Sequence, residues 1–172
     1  VPDVVILSDT HVPARARDLP AQLWAAITAA DVVVHAGDWL SGALLDEVGA
    51  RARLLVACVG NNDDAGVRAA LPDVARAEIG GVRVAVLHDS GARPTRERRL
   101  AAAYGADTDL VVFGHSHIPW DSTVESAPGR WLRLLNPGSP TDRRRQPVGT
   151  WLSARFDDGR ITGLRTHEVR RT

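Results

Sequence analysis

Short apolar runs alternate with stretches of helical period along the first two-thirds of the chain. Val4–Leu7, Asp31–His35, Leu54–Val59 and Leu110–Phe113 read as buried strands. Between them, Leu23, Trp24 and Ile27 share one face of a helix predicted over Leu19–Ala30. Ser41–Ala50 predicts a second helix with Ser41 as its N-cap, and Thr95–Tyr104 a third. Val74–Ile79 and Val82–Leu87 flank Gly80-Gly81, a hairpin signature. The pattern changes in the last third, where Asp121–Ser126, Trp131–Leu135, Gly149–Phe156 and Ile161–Glu168 predict strands joined by turns, with Asp157-Asp158-Gly159 closing the last pair. Strand–helix alternation followed by strands predicts an α/β domain, with a mixed sheet or with two packed sheets and helices outside. No repeat, linker or low-complexity segment breaks this order, so residues 1–172 are expected to form one domain around one sizeable core.

Composition narrows the function classes. Apolar residues make up 44% of the 172 positions and the formal net charge is zero, so no global basic field favours long nucleic acids or an anionic membrane. No apolar run reaches the length of a membrane span, and the start lacks the pattern of a signal peptide, so a cytoplasmic location is expected. The one cysteine, Cys58, sits in an apolar run and is expected to be a buried thiol. Every basic residue other than histidine is Arg, a compositional bias with no bearing on mechanism.

The informative feature is where Asp, Asn and His fall. Asp9-Thr10-His11 follows the first strand, Gly37-Asp38 the second, and Gly60-Asn61-Asn62-Asp63 the third. His88 follows the strand ending at Leu87, and Gly114-His115-Ser116-His117 the strand ending at Phe113. The carboxyl ends of strands in an α/β sheet share one edge, where ligands bind, so these motifs are expected to converge. Any one of them alone is an ordinary turn former or helix cap. Five in order, each at a strand end, are not. Carboxylate and imidazole together suit Mn, Fe, Co, Ni or Zn better than Ca or Mg, and the lack of a second Cys argues against a thiolate zinc site.

These stretches, with Ser8-Asp9-Thr10-His11 and His35-Ala36-Gly37-Asp38 the first of them, resemble the calcineurin-like metallophosphoesterases, and among those the small single-domain bacterial and archaeal phosphodiesterases. Asn136-Pro137-Gly138-Ser139 matches the small subfamily as well, and the likeness runs from about Val4 to Thr141. It implies a four-layer αββα sandwich with two mixed β-sheets. It also implies two divalent metal ions, with manganese expected first and Ni, Co, Fe or Zn next. Asp9, His11 and His117 would hold one ion, Asn61, His88 and His115 the other, and Asp38 both. A hydroxide bridging the two ions beside Asp38 would then attack the phosphorus of a small phosphate-ester substrate. A homo-oligomer is compatible with this picture.

The chain departs from the family at Asn62, where many relatives carry His, and at Asp89, where Gly is common. Asn62 can contact phosphate but cannot donate a proton. His35 and Asp63 are expected to brace the ligands from behind, and His167 to play no part. Arg143, Arg144 and Arg145 read as a solvated loop rather than an anion patch, and Arg96, Arg98 and Arg99 as the polar face of a helix. Trp39 is either core or a wall of the site. The rival function is a non-catalytic protein-binding scaffold, like the retromer subunit of the same fold, but such scaffolds tend to lose ligands that are all present here.

Overall fold

Val4 and Ile6 face one way and Val5 and Leu7 the other, and all four are buried. That is why the first strand is a continuous apolar run rather than an alternating one: both of its faces are covered. In the computed structural model, which describes residues 1–170, the chain runs β1 (Asp3–Leu7), α1 (Ala21–Ala29), β2 (Val32–His35), α2 (Gly42–Arg51), β3 (Leu55–Ala57), α3 (Ala65–Ala70), β4 (Val74–Ile79), β5 (Val82–Leu87), α4 (Arg96–Tyr104), β6 (Leu110–Val112), β7 (Trp120–Ala127), β8 (Arg130–Asn136), β9 (Gly149–Asp157) and β10 (Arg160–Val169).

The strands form two five-stranded mixed sheets, ordered β10-β9-β1-β2-β3 and β4-β5-β6-β8-β7. Strands β1, β2 and β3 pair in parallel in the first sheet, and β5, β6 and β8 in the second. The sheets meet through a central core that includes Ile6, Val34, Val84, Val112 and Phe156. Leu23, Ile27, Leu44, Val48 and Val67 cover the outer face of the first sheet with α1, α2 and α3. Leu100 of α4 packs with Phe113 and Leu132 on the outer face of the second. This is the four-layer αββα arrangement expected from the resemblance. It brings the carboxyl ends of β1, β2, β3, β5 and β6 to one edge. No helix among the described residues is long and apolar enough to cross a membrane.

Several expectations need correction. Helix α1 starts later than expected, with Pro20 as its N-cap residue, and β3 ends at Ala57 rather than Val59. Ser41 holds the N-cap position of α2, but its hydroxyl does not cap the helix and reaches Val12 O instead. Asp64 does that work, accepting from Gly42 N at 3.1 Å while it caps the unforeseen α3 through Val67 N at 2.9 Å. Arg96 is not on a polar face. It is 7% exposed, with its guanidinium over the rings of Phe113 and Trp120.

Candidate metal centre

Each loop that leaves a parallel strand turns sharply, and the candidate ligands occupy the turns. Asp9, His11, Asp38, His115 and His117 all have positive φ, between 47° and 68°. Asp and His tolerate this region better than most residues, but five together is a strained edge. The loops hold one another in place: Asp9 N donates to Gly37 O (2.9 Å), His11 N to Asp38 O (3.0 Å) and Gly114 N to His88 O (3.0 Å). Glycine is required where these backbones cross. A Cβ on Gly60 would sit 2.1 Å from Asp38 N, and one on Gly114 would sit 2.6 Å from Asp9 Oδ2.

All seven sequence-predicted donors come together. His11 Nε2 lies 3.1 Å from His117 Nε2, and His117 Nε2 lies 3.4 Å from Asp9 Oδ1. In a second group, Asn61 Oδ1 lies 2.9 Å from His88 Nε2 and 3.0 Å from His115 Nδ1. Asp38 stands between the groups, with Oδ2 3.4 Å from both His11 Nε2 and His88 Nε2. The donor set fits divalent cations: carboxylate, amide oxygen and imidazole nitrogens crowd together with few protons to separate them.

The far sides of the rings fix which nitrogen faces inward. His88 Nδ1 donates to Ala36 O at 2.8 Å and His117 Nδ1 to Asp142 O, leaving each Nε2 free for the centre. Asp9 accepts from Ser8 Oγ (2.6 Å) and from His115 N (3.0 Å). Asp38 accepts from Asn62 N (2.9 Å) and Asn62 Nδ2 (2.7 Å). Burial opposes the Asp38 charge, but hydrogen bonds from His88 and Asn62 outweigh it and hold the carboxyl well below the usual range. Burial likewise opposes a proton on His88, yet its hydrogen bond with Asp38 and the charges of Asp9 and Asp38 raise its pKa to about 8. At His11 burial wins over the same carboxylates and the pKa falls. Before a cation is bound, the His88 proton offsets the negative charge around Asp38.

His35 lies behind the centre, fully buried, and burial pushes its pKa well below the ordinary value. As a neutral ring it accepts from Gly37 N through Nδ1 and donates to Thr10 Oγ1 through Nε2. Asp63 accepts from Leu40 N and Gly60 N, tying the second and third loops together. Trp39 is core, stacked on His35 at 3.5 Å with its Nε1 donating to Cys58 O. Asp89 is exposed and shapes its own loop by accepting from Gly91 N. His167 is remote, stacked on Trp151.

The sequence reading missed the bracing residues. Ser139 Oγ donates to Asp9 O (2.7 Å), and Asn136 Nδ2 donates to Gly114 O (2.9 Å). Arg68 of α3 donates to Asn61 O and Asp63 O. The Asn136-Pro137-Gly138-Ser139 stretch was the available signal for the first two. Nothing local marked Asp142 or Arg68.

Comparison with known proteins identifies the family. The model of the calcineurin-like phosphoesterase superfamily domain matches residues 3–159. The chain belongs to that superfamily. It is 33% identical over 139 residues to a probable metallophosphoesterase of Methanothermobacter thermautotrophicus, covering 79% of this chain and 76% of that protein. As a calcineurin-like phosphoesterase it belongs to a family that uses divalent metals. Two of the solved structures that share its fold illustrate the range. One is Vps29 of Entamoeba histolytica complexed with zinc, with a TM-score of 0.72, 21% identity, and 98% of this chain and 99% of that one covered. The other is an archaeal phosphodiesterase with a TM-score of 0.69, 19% identity, and 96% and 99% covered.

Proposed function

We propose that the protein hydrolyses small phosphate esters, phosphodiesters in preference to monoesters, at two divalent cations, with manganese the first candidate. Asp9, His11 and His117 would hold one cation and Asn61, His88 and His115 the other. The observation that carries this reading is the position of Asp38, whose Oδ2 is equidistant from a histidine of each group at 3.4 Å. When bound, such a pair of cations supplies a water of lowered pKa and neutralises charge that builds on the phosphoryl oxygens.

The chain's own residues supply position and charge. Asp38 stays anionic across the working range of pH, so it is always ready to be shared. Asn62 lines the depression beside His11 and is the proposed phosphate contact. Its amide donates a hydrogen bond but no proton, so esters with stable leaving anions are the expected better substrates. Cys58 is no rival nucleophile, because burial pushes its thiol far up. The complete donor set supports an enzyme over a protein-binding scaffold of this fold. Likeness to an archaeal phosphodiesterase supports diesters, and the neutral chain a small substrate, with a cytoplasmic location as the corollary.

The test is metal content after reconstitution with Mn, Ni, Co or Zn, together with turnover of bis(p-nitrophenyl) phosphate and p-nitrophenyl phosphate. Two cations per chain and faster cleavage of the diester are expected. Cleavage of neither ester by the cation-loaded protein would overturn the enzyme reading in favour of the scaffold.

A further inference from the structure

We infer that the loop after β8 forms a subsite for a second phosphate group beside the metal centre, with Arg144 as the residue that reads it. The preferred substrate is then a small phosphodiester that carries another phosphate. This rests on the phosphodiesterase reading above.

Arg68, Arg15 and Arg144 lie near the centre, and their bonding differs. Arg68 is engaged by the carbonyls of Asn61 and Asp63, at 2.7 and 2.9 Å. Arg15 is paired, with its Nε 3.6 Å from Asp142 Oδ2. Arg144 makes a single long contact, Nη1 to His115 O at 3.3 Å, and among the described residues it has no ion pair. A guanidinium carries five N–H donors in a planar fork, so most of this one's capacity is unspent.

The loop backbone that carries it is fixed. Asp142 N donates to Ser139 Oγ at 2.8 Å, and Asp142 O accepts from His117, a candidate ligand. Gln146 N closes a turn on Arg143 O at 2.8 Å. Arg144 sits in that turn with φ +49°, a strained backbone for a residue whose side chain is exposed and makes no structural pair. Arg144 shares an open depression of about 380 Å³ with His11 and Asn62. Asp142 lines it too, with Arg15 Nε 3.6 Å from its Oδ2, so the depression holds two guanidinium groups against one carboxylate. A phosphoryl group over the centre therefore leaves Arg144 within the same depression for a second anion. The planar fork matches phosphate oxygens two at a time, which a point charge would not. Because the chain has no net charge, this recognition is local rather than long-range steering.

The experiment compares the p-nitrophenyl ester of thymidine 5′-phosphate with the same ester carrying a 3′-phosphate, using the manganese-loaded protein. The added phosphate is expected to raise kcat/KM roughly 10- to 100-fold, mainly through KM. Arg144→Ala should bring the ratio between the two esters close to one at matched metal content, Arg144→Lys should keep part of it, and Arg145→Ala should keep all of it. Calorimetry provides a readout without turnover: thymidine 3′,5′-bisphosphate should bind more tightly than thymidine 5′-monophosphate, and only with Arg144 present. A native ratio near one, or the same ratio in Arg144→Ala, overturns the subsite. If neither ester is cleaved, the proposed activity fails, and the calorimetric difference alone upholds or overturns the subsite.

Discussion

Around Asp38, the group of Asp9, His11 and His117 is buried, with Asp9 at 0% and His117 at 1% exposure. In the group of Asn61, His88 and His115, only His88 is buried, and the other two reach solvent. Support differs in the same direction. Asp9 is held by Ser8, by the His115 amide and, through its carbonyl, by Ser139, while His117 is locked by the Asp142 carbonyl. In the second group His88 is locked likewise, by the Ala36 carbonyl, but among the described residues Asn61 is braced only through its backbone carbonyl by Arg68, and nothing bonds the outer nitrogen of the His115 ring. Similar side chains thus make one preorganised group and one looser group. Preorganisation rather than donor identity should set their relative affinities.

The strongest way to break this comparison is to remove what the groups share. Asp38→Ala should lose both cations, and turnover should fall on the order of a thousandfold or more. Retention of two cations, read by elemental analysis, would sink the shared role of Asp38. Next in size is the asymmetry itself. A chelator titration should strip the Asn61–His88–His115 cation first, with dissociation constants roughly 10- to 100-fold apart. His115→Ala should leave one cation in place, and equal losses from the two groups would refute the ranking.

pH sharpens the contrast further. In the metal-free protein His88 keeps its proton up to about pH 8, and a cation must displace it. Affinity at that group should therefore fall as pH drops below 8, by up to about tenfold per unit. The depressed pKa of His11 demands no such displacement, so the buried group should respond less. Stability follows the same sign. The folded pKa of His88 lies above the ordinary 6.5, so protonation stabilises the metal-free fold fully below pH 6.5, and this is lost as pH rises through about 8. The Tm gap between native protein and His88→Asn, measured without metal, should close over that window. The smallest effect belongs to Ser139→Ala. Losing the hydroxyl that serves Asp9 O and Asp142 N should cost about 1–2 kcal/mol in denaturant unfolding and loosen only the buried group's cation.

The strand-end motifs were legible because each follows a short apolar run, and parallel strands put their carboxyl ends on one edge whatever lies between them; the choice of seven candidate ligands within those motifs came from the family resemblance. The helices on the outer faces were legible through Leu23, Trp24 and Ile27 and similar sets. Helix α3 was not, because six residues leave no periodicity to read and its cap, Asp64, looks like part of the Asn-rich motif. Ser41 misled because hydroxyl capping is a local rule, and the carboxylate of Asp64, 22 residues beyond Gly42, took the role. Arg96 misled because its cover, Phe113 and Trp120, lies beyond its own helix, past the reach of a helical pattern. Arg144 and Asp142 owe their place to an irregular loop closed by contacts with the edge it overhangs, and no spacing rule encodes that.

The two-sheet construction has a mechanical consequence. Asp9, His11 and Asn61 follow strands of the first sheet, whereas His88, His115 and His117 follow strands of the second. Each donor group therefore draws from both halves of the sandwich, and a cation in either one would rivet the sheets together at this edge. Sliding one sheet over the other would have to tear both groups open. Loading should raise resistance to unfolding by about 2.7 kcal/mol for each cation supplied at a hundredfold excess over its dissociation constant. A chelator should then remove that increment and leave the apolar seam between the sheets to hold the metal-free fold.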